Sequence, residues 1–176
     1  MTALVTKADL DAYKYVADSI KNASTWPQFV SEAQLLDVKC WLGDSLLSEL
    51  ITQSETSPPS LSTANLALLN GGNYTYQGRL YIFQGLKAAI IYYAFARFTS
   101  RQPYNYTQAG ITVKDTDYST PASDKAVQRM ATEAMLTAAS IKDEVILFLR
   151  RNAVTYPLYK CSASNGRPRT FFVIGD

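Results

Sequence analysis

Apolar positions recur at helical spacing over most of this chain. The most apolar stretch, Arg79 to Arg101 (RLYIFQGLKAAIIYYAFARFTSR), reads as one helix of about six turns. Leu80, Phe83, Leu86, Ile90, Tyr93 and Arg97 follow 3- and 4-residue steps, flanked by Ile82, Ala89, Ile91, Ala94 and Phe98. Apolar side chains cover more than one stripe, so this helix is expected at the centre of a bundle. Its longest run without charge or strong polarity, Ala88 to Ala96, is short of the roughly 20 residues a bilayer needs. No membrane span is expected.

Helical periodicity also predicts the elements on either side. Thr6 and Asp9 resemble a capping box with Asp in place of Glu, opening a first helix towards Lys21. Pro27 suits the first turn of a second helix, which Ser24 or Thr25 can cap. Phe29, Ala33, Leu36, Cys40, Gly43, Leu47 and Leu50 alternate steps of four and three, a heptad-like stripe in which Gly43 marks either a close crossing or a weak point. The SETSPPS stretch stops that helix. Ser62 caps a short helix that Asn70-Gly71-Gly72 ends, and Tyr74, Tyr76 and Gly78 read as a loop into the central helix. After Pro103, Thr107 to Val113 alternates weakly and Gly110 marks a turn or bulge. Ser119 and Pro121 open the last long helix, near Ala122 to Asn152, with Val127, Ala131, Ala134, Ala138, Ile141, Val145 and Phe148 as its stripe. The alanines let a neighbour, best the bulky central helix, come close. Tyr156 to Tyr159 reads as extended, SASNGR as a turn, and Thr170 to Ile174 (TFFVI) as a β-prone segment that needs covering.

The pattern therefore predicts a mainly α protein. It is a helical bundle of roughly four to five helices with a short β-hairpin or loop insertion and an extended β-prone C-terminal arm. The bundle domain is placed at residues 1–152, the loop or hairpin at 103–120 and the arm at 153–176.

A length of 176 residues allows one domain with a real core, and 47% hydrophobic with 18% charged residues excludes a disordered chain. The net charge of +2 gives no general attraction to nucleic acid. It is unevenly spread, because Arg150, Arg151, Lys160, Arg167 and Arg169 make the end of the chain basic. Cys40 and Cys161 form no CxxC pair, which fits a reducing compartment and two small buried or half-buried side chains. Met1 to Leu10 lacks both a basic start and an apolar run, so no secretory leader is expected.

The search for chemistry is mostly one of exclusion. There is no histidine, which removes histidine-dependent triads and His-ligated zinc. No GxSxG, GxxxxGK[ST] or GxGxxG motif occurs. Asp115-Thr116-Asp117 reads as a solvated turn and not a metal site, and Asp143-Glu144 as solvent-facing charge. Lys87 and Arg97 on the central helix either form ion pairs in a groove or extend to the rim of the bundle. No catalytic residue, metal or cofactor is expected, and the chain is read as a non-enzyme.

Tyrosine is the unusual component. Eight of the twelve lie between Tyr74 and Tyr118. Tyr81, Tyr92 and Tyr93 fit a bundle core with the hydroxyl at its rim. Tyr74, Tyr76, Tyr104, Tyr106 and Tyr118 fall in loops, where they either staple those loops to the bundle or form a protein interface.

The order of features resembles the head–tail connector (adaptor, or head-completion) proteins of tailed bacteriophages, most closely the crAss-like type. The resemblance is carried by Gly85-Leu86-Lys87-Ala88-Ala89 leading into Tyr92-Tyr93-Ala94-Phe95-Ala96-Arg97-Phe98, then Gly110-Ile111-Thr112-Val113-Lys114 and Tyr118-Ser119-Thr120-Pro121, and finally Phe148-Leu149-Arg150-Arg151-Asn152. It covers about residues 80 to 157; the first half matches only in being helical. It implies a structural protein of the virion neck, made in the host cytoplasm. Copies of the chain, commonly twelve, would form a ring on the portal protein, meet tail or stopper proteins, and continue the channel for DNA without reading its sequence. In that family chain termini and a protruding loop grip the neighbours. By position these roles fall here on Tyr104, Tyr106, Ile111, Val113 and Tyr118 in the loop, and on Tyr156, Tyr159, Arg167, Arg169, Phe171, Phe172 and Ile174 in the tail. The TFFVI segment itself has no counterpart in the family. Two other readings stay open: a helical nucleic-acid-binding protein with its terminal basic residues on phosphates, and a tail-completion or stopper ring of the same virion.

Overall fold

The computed structural model describes residues 3–13, 26–56, 59–101, 104–107, 110–113 and 123–160, and they form a mainly helical bundle with two antiparallel hairpins. Helix α1 (Lys7–Tyr13) opens on the expected capping box. The Thr6 N–H donates to the Asp9 carboxylate at 2.8 Å, and the Asp9 N–H donates to Thr6 Oγ1 at 3.3 Å. The expected continuation of this helix to Lys21 lies outside the described residues.

The second helical region departs from its heptad stripe. Helix α2 (Trp26–Glu32) passes into a π-helical segment (Ala33–Val38) and then into the single turn α3 (Lys39–Leu42). The Lys39 N–H donates to the Gln34 carbonyl, five residues back, so this stretch carries an extra residue per turn. The buried positions therefore advance by about four: Trp26, Val30, Ala33 with Gln34, Val38, Leu42 and Leu46. Leu36, a member of the expected stripe, is 60% exposed, and Cys40 is exposed instead of buried. Gln34 is buried because its Oε1 accepts the Leu4 N–H at 2.8 Å, which ties the chain's start to the π-helical turn. Gly43 breaks the helix at φ 88°, ψ 153°, and a side chain there would meet nothing within 4 Å. It is a joint and not a close crossing.

Helix α4 (Asp44–Glu55) ends before the paired prolines, and Ser62 caps α5 (Thr63–Asn70) by accepting the Asn65 N–H at 3.2 Å. The buried Asn65 side chain locks α5 to α4, donating to Gln53 at 2.9 Å and Glu49 at 3.1 Å.

The largest correction concerns the stretch read as one long helix. Strands β1 (Gly72–Tyr76) and β2 (Arg79–Phe83) pair as a hairpin, and helix α6 (Leu86–Arg101) starts only after Gly85. Gln77 and Gly78 both have positive φ, 50° and 73°, the requirement of a two-residue type I′ turn. Asn70-Gly71 and Gln84-Gly85 bring the ends of the hairpin into backbone contact. A Cβ on Gly71 would collide with Phe83 and Gln84, and one on Gly85 with Gly71 and Asn70. The β-prone sequences YTY and RLYIF then outweigh helical spacing that spans the Gly85 break.

Beyond that break the central helix behaves as expected. Ten of its positions are buried, from Leu86 to Phe98. It packs most extensively against α7 (Asp124–Arg151), whose buried face is Ala134, Ala138, Ile141, Val145, Phe148 and Leu149. The two alanines open this buried face and allow the close approach that the stripe predicts, while Val127 and Ala131, also on the expected stripe, are only half-buried. Helix α7 starts two residues later than expected. Ser123 caps it by accepting the Ala126 N–H at 3.3 Å, whereas Ser119 and Pro121 fall outside the described residues. Between α6 and α7, β3 (Tyr104–Thr107) pairs with β4 (Gly110–Val113), the expected short hairpin. Residues 153–160 form turns in place of the expected extended segment, held by N–H donation from Thr155 and Tyr156 to the Asn152 carbonyl and from Tyr159 to Tyr156.

Candidate functional site

The two hairpins hold the loop tyrosines, and they hold them differently. In the first, Phe83 of β2 stacks on Phe148 of α7 at 4.1 Å between ring centres. Tyr74 sets its ring edge-on to Phe148 at 5.0 Å and stacks on Tyr81 at 5.5 Å. The Arg151 guanidinium lies 3.8 Å from the centre of the Tyr81 ring and donates to the Tyr74 hydroxyl at 2.9 Å. Tyr74 and Tyr81 therefore staple the hairpin to the end of α7. Tyr81 belongs to this strand, not to the helical core where periodicity places it.

Pairing of Asn73 with Ile82 and Thr75 with Leu80 leaves the opposite face of this hairpin bare. Leu80 is 65% exposed and Ile82 74% exposed. Helical spacing assigns both to the core. The signal that could have found them is the Gln77-Gly78 turn between two alternating β-prone runs.

In the second hairpin the register pairs Tyr104 with Val113 and Tyr106 with Ile111. Four of the expected interface residues thus occupy two facing pairs two residues apart. The register is the same along all four pairs, so β3 and β4 form a regular two-stranded ladder.

The tail positions divide. Tyr156 is a core residue at 4% exposure, its ring 5.6 Å from Phe148 and its hydroxyl donating to the Ala64 carbonyl at 2.6 Å. Burial pushes its phenol up to about 12. This corrects its expected place on an exposed interface. Tyr159 is half-buried against the same core. Tyr118, Arg167, Arg169, Phe171, Phe172 and Ile174 lie outside the described residues, as do Asp115 to Asp117 and Cys161.

The charges of the central helix form ion pairs. Lys87 Nζ is 2.9 Å from Asp9, where burial works to raise the carboxyl but the Thr6 N–H, Lys87 and the Thr6 hydroxyl hold it below its ordinary value. Arg97 grips Asp37 with two hydrogen bonds of 2.7 and 2.9 Å, and these raise its already high pKa. Arg101 reaches Glu32 at 2.8 Å. On α7, Asp143 faces solvent as expected, while Glu144 turns back to accept the Gln84 N–H at 3.4 Å. A shallow cleft of about 360 Å³ lies between α6 and α7, lined by Ala96, Arg97, Ser100, Ala131, Thr132 and Met135. Its charged group among the described residues, Arg97, is already held by Asp37, which leaves the described lining mostly apolar. Among the described residues no three His, Cys, Asp or Glu side chains are grouped to hold a metal ion, and no helix is long and apolar enough to cross a membrane.

The fold is that of a helical bundle with two hairpins, both bearing tyrosine and the first exposing Leu80 and Ile82. The chain belongs to the family described as Family of unknown function (DUF6712), whose model matches residues 38–169. That match spans α3 to α7 and both hairpins. No match was found among curated proteins or among solved structures.

Proposed function

We propose that this chain is a structural protein of a phage neck, a subunit of an oligomeric adaptor ring that joins the portal to the tail and continues the DNA channel. The observation that carries this reading is the β3–β4 hairpin. It lies in sequence between the two most extensively packed helices and pairs Tyr104 and Tyr106 with Val113 and Ile111. A hairpin of that composition on a rigid bundle suits recognition by fit, since tyrosine gives a large contact area with little entropy to lose. The resemblance over residues 80 to 157 supplies the identity of the neighbours: the portal protein, further copies of the chain, and tail or stopper proteins. The work is done by shape and not by catalysis. A ring subunit also needs two unlike faces, and the two hairpins differ in sequence, the first fastened to α7 through Phe83, Tyr74 and Tyr81.

Peptide quantification of purified virions tests the reading. The chain should be present in a constant ratio close to one copy per portal subunit. Its absence from virions, or a copy number matching the capsid shell, would exclude a neck ring.

A further inference from the structure

We propose that the cleft between α4, α5 and the turn at residues 155–158 binds a primary alkylammonium group, with the Glu49 carboxylate and the Asn65 side-chain oxygen as its acceptors. The cleft has a volume of about 290 Å³, room for one unbranched side chain or a small amine. Its lining is mixed. Leu46, Pro157 and Leu158 supply apolar walls, and Glu49 and Asn65 supply polar ones. Such a slot suits a group with an apolar stem and a charged head.

Asn65 is only 3% exposed, and its neighbours fix the direction of its amide. Gln53 Oε1 accepts the Ser62 backbone N–H at 3.1 Å, so the Gln53 amide nitrogen is the group that donates to Glu49 Oε1, at 2.8 Å. Asn65 Nδ2 donates to the same Glu49 oxygen at 3.1 Å and to Gln53 Oε1 at 2.9 Å. Both of those partners are acceptors, which leaves Asn65 Oδ1 out of the network. Asn65 Oδ1 and Glu49 Oε2 therefore take no hydrogen bond among the described residues. Neither is sealed in, because the buried polar side-chain atoms without a partner among the described residues are the indole nitrogens of Trp26 and Trp41. No lysine or arginine among the described residues pairs with Glu49 either. A half-buried carboxylate beside two open acceptors thus lacks a cation. A guanidinium is a poorer occupant than an ammonium. Its flat fork takes both oxygens of one carboxylate, and Oε1 already accepts two hydrogen bonds. The Tyr156 hydroxyl is committed to the Ala64 carbonyl and does not compete for these oxygens. The site stands whether or not a ring forms.

NMR titration of the isotope-labelled full chain with n-butylammonium chloride, beside n-butanol at the same ionic strength, tests this. Butylammonium should shift the Asn65 and Gln53 side-chain amides and the signals of residues 155–158 saturably, with a Kd of about 1–10 mM. Butanol should bind at least about ten-fold more weakly. Glu49→Gln keeps an oxygen for Asn65 and Gln53, so their side-chain signals should persist while butylammonium binds at least about ten-fold more weakly. Leu158→Lys, on the exposed rim, should weaken binding about three-fold through like charge. Nα-acetyl-lysine methylamide separates the two sources of an ammonium. Binding as tight as that of butylammonium supports the site and assigns it a lysine side chain of a partner protein, and exclusion beside bound butylammonium supports it and assigns a free amine. Equal binding of butylammonium and butanol, shifts that survive both variants, or shifts centred away from the cleft would overturn the proposal.

Discussion

Tyr156 fastens the end of the described chain to α5 through one buried hydrogen bond to the Ala64 carbonyl. Tyr156→Phe should cost about 1 kcal/mol in urea unfolding, since it removes that buried hydrogen bond. The same phenol gives a pH dependence. Its pKa rises from 10.0 to about 12 on folding, and that of Tyr93 does likewise, through burial first and then the charges of Asp37, Cys40 and Asp143. The folded state thus favours the neutral phenols. Their contribution is complete below pH 10 and is lost as pH climbs towards 12. Comparing unfolding at about pH 9 and about pH 11, wild type should lose more stability than Tyr156→Phe. Arg97 gives a second residue-level test. Arg97→Met strands a largely buried Asp37 and should cost about 3 kcal/mol, and Arg97→Lys should recover only part because an ammonium cannot make the paired contact. The sequence showed that Lys87 and Arg97 sit on an apolar helix. It could not show their partners, because Asp9 and Asp37 lie 78 and 60 positions away.

At the scale of elements, helices bounded by local chemistry were legible in the chain. The Thr6–Asp9 box, the Ser62 cap with Gly71, and the alanine-lined face of α7 are each written within a few residues. Two places were not. In Ala33–Val38 the π-helical turn moves the buried face off its heptad, a shift fixed by Gln34 bonding to Leu4 thirty residues away. In Arg79–Phe83 helical spacing was accidental, and the Gln77-Gly78 turn with the Gly71–Gly85 contact decides for a hairpin. Gly85 tests that account directly. Gly85→Ala places a Cβ against the Gly71 backbone at φ 86°, where neither strand nor helix end can yield cheaply. It should lower stability by more than about 3 kcal/mol, whereas Gly43→Ala, also at positive φ but with open space around it, should cost about 1 kcal/mol. Thermal melts of the two variants provide the comparison.

For the whole molecule, the boundary between body and arm moves outward. A cut after Asn152, where the helical pattern ends, would remove Tyr156 and its contacts with Phe148 and Ala64. A chain ending at Asn152 should therefore melt well below the full chain, while one ending at Lys160 should keep the bundle's cooperative transition. Alanine at Tyr104 and Tyr106 separates assembly from folding. If the neck-ring proposal holds, the double variant should stay within about 1 kcal/mol of wild type yet lose ring formation. A large fall in melting temperature would instead make these tyrosines staples, as Tyr74 is in the first hairpin. The most direct test of the neck-ring account is electron microscopy of the full chain mixed with the phage portal protein that the account makes its partner. The account predicts a closed ring of this chain seated on one end of the portal, coaxial with its channel, with β3–β4 at a contact between subunits. A chain that stays monomeric and leaves the portal bare at concentrations of tens of micromolar would contradict it.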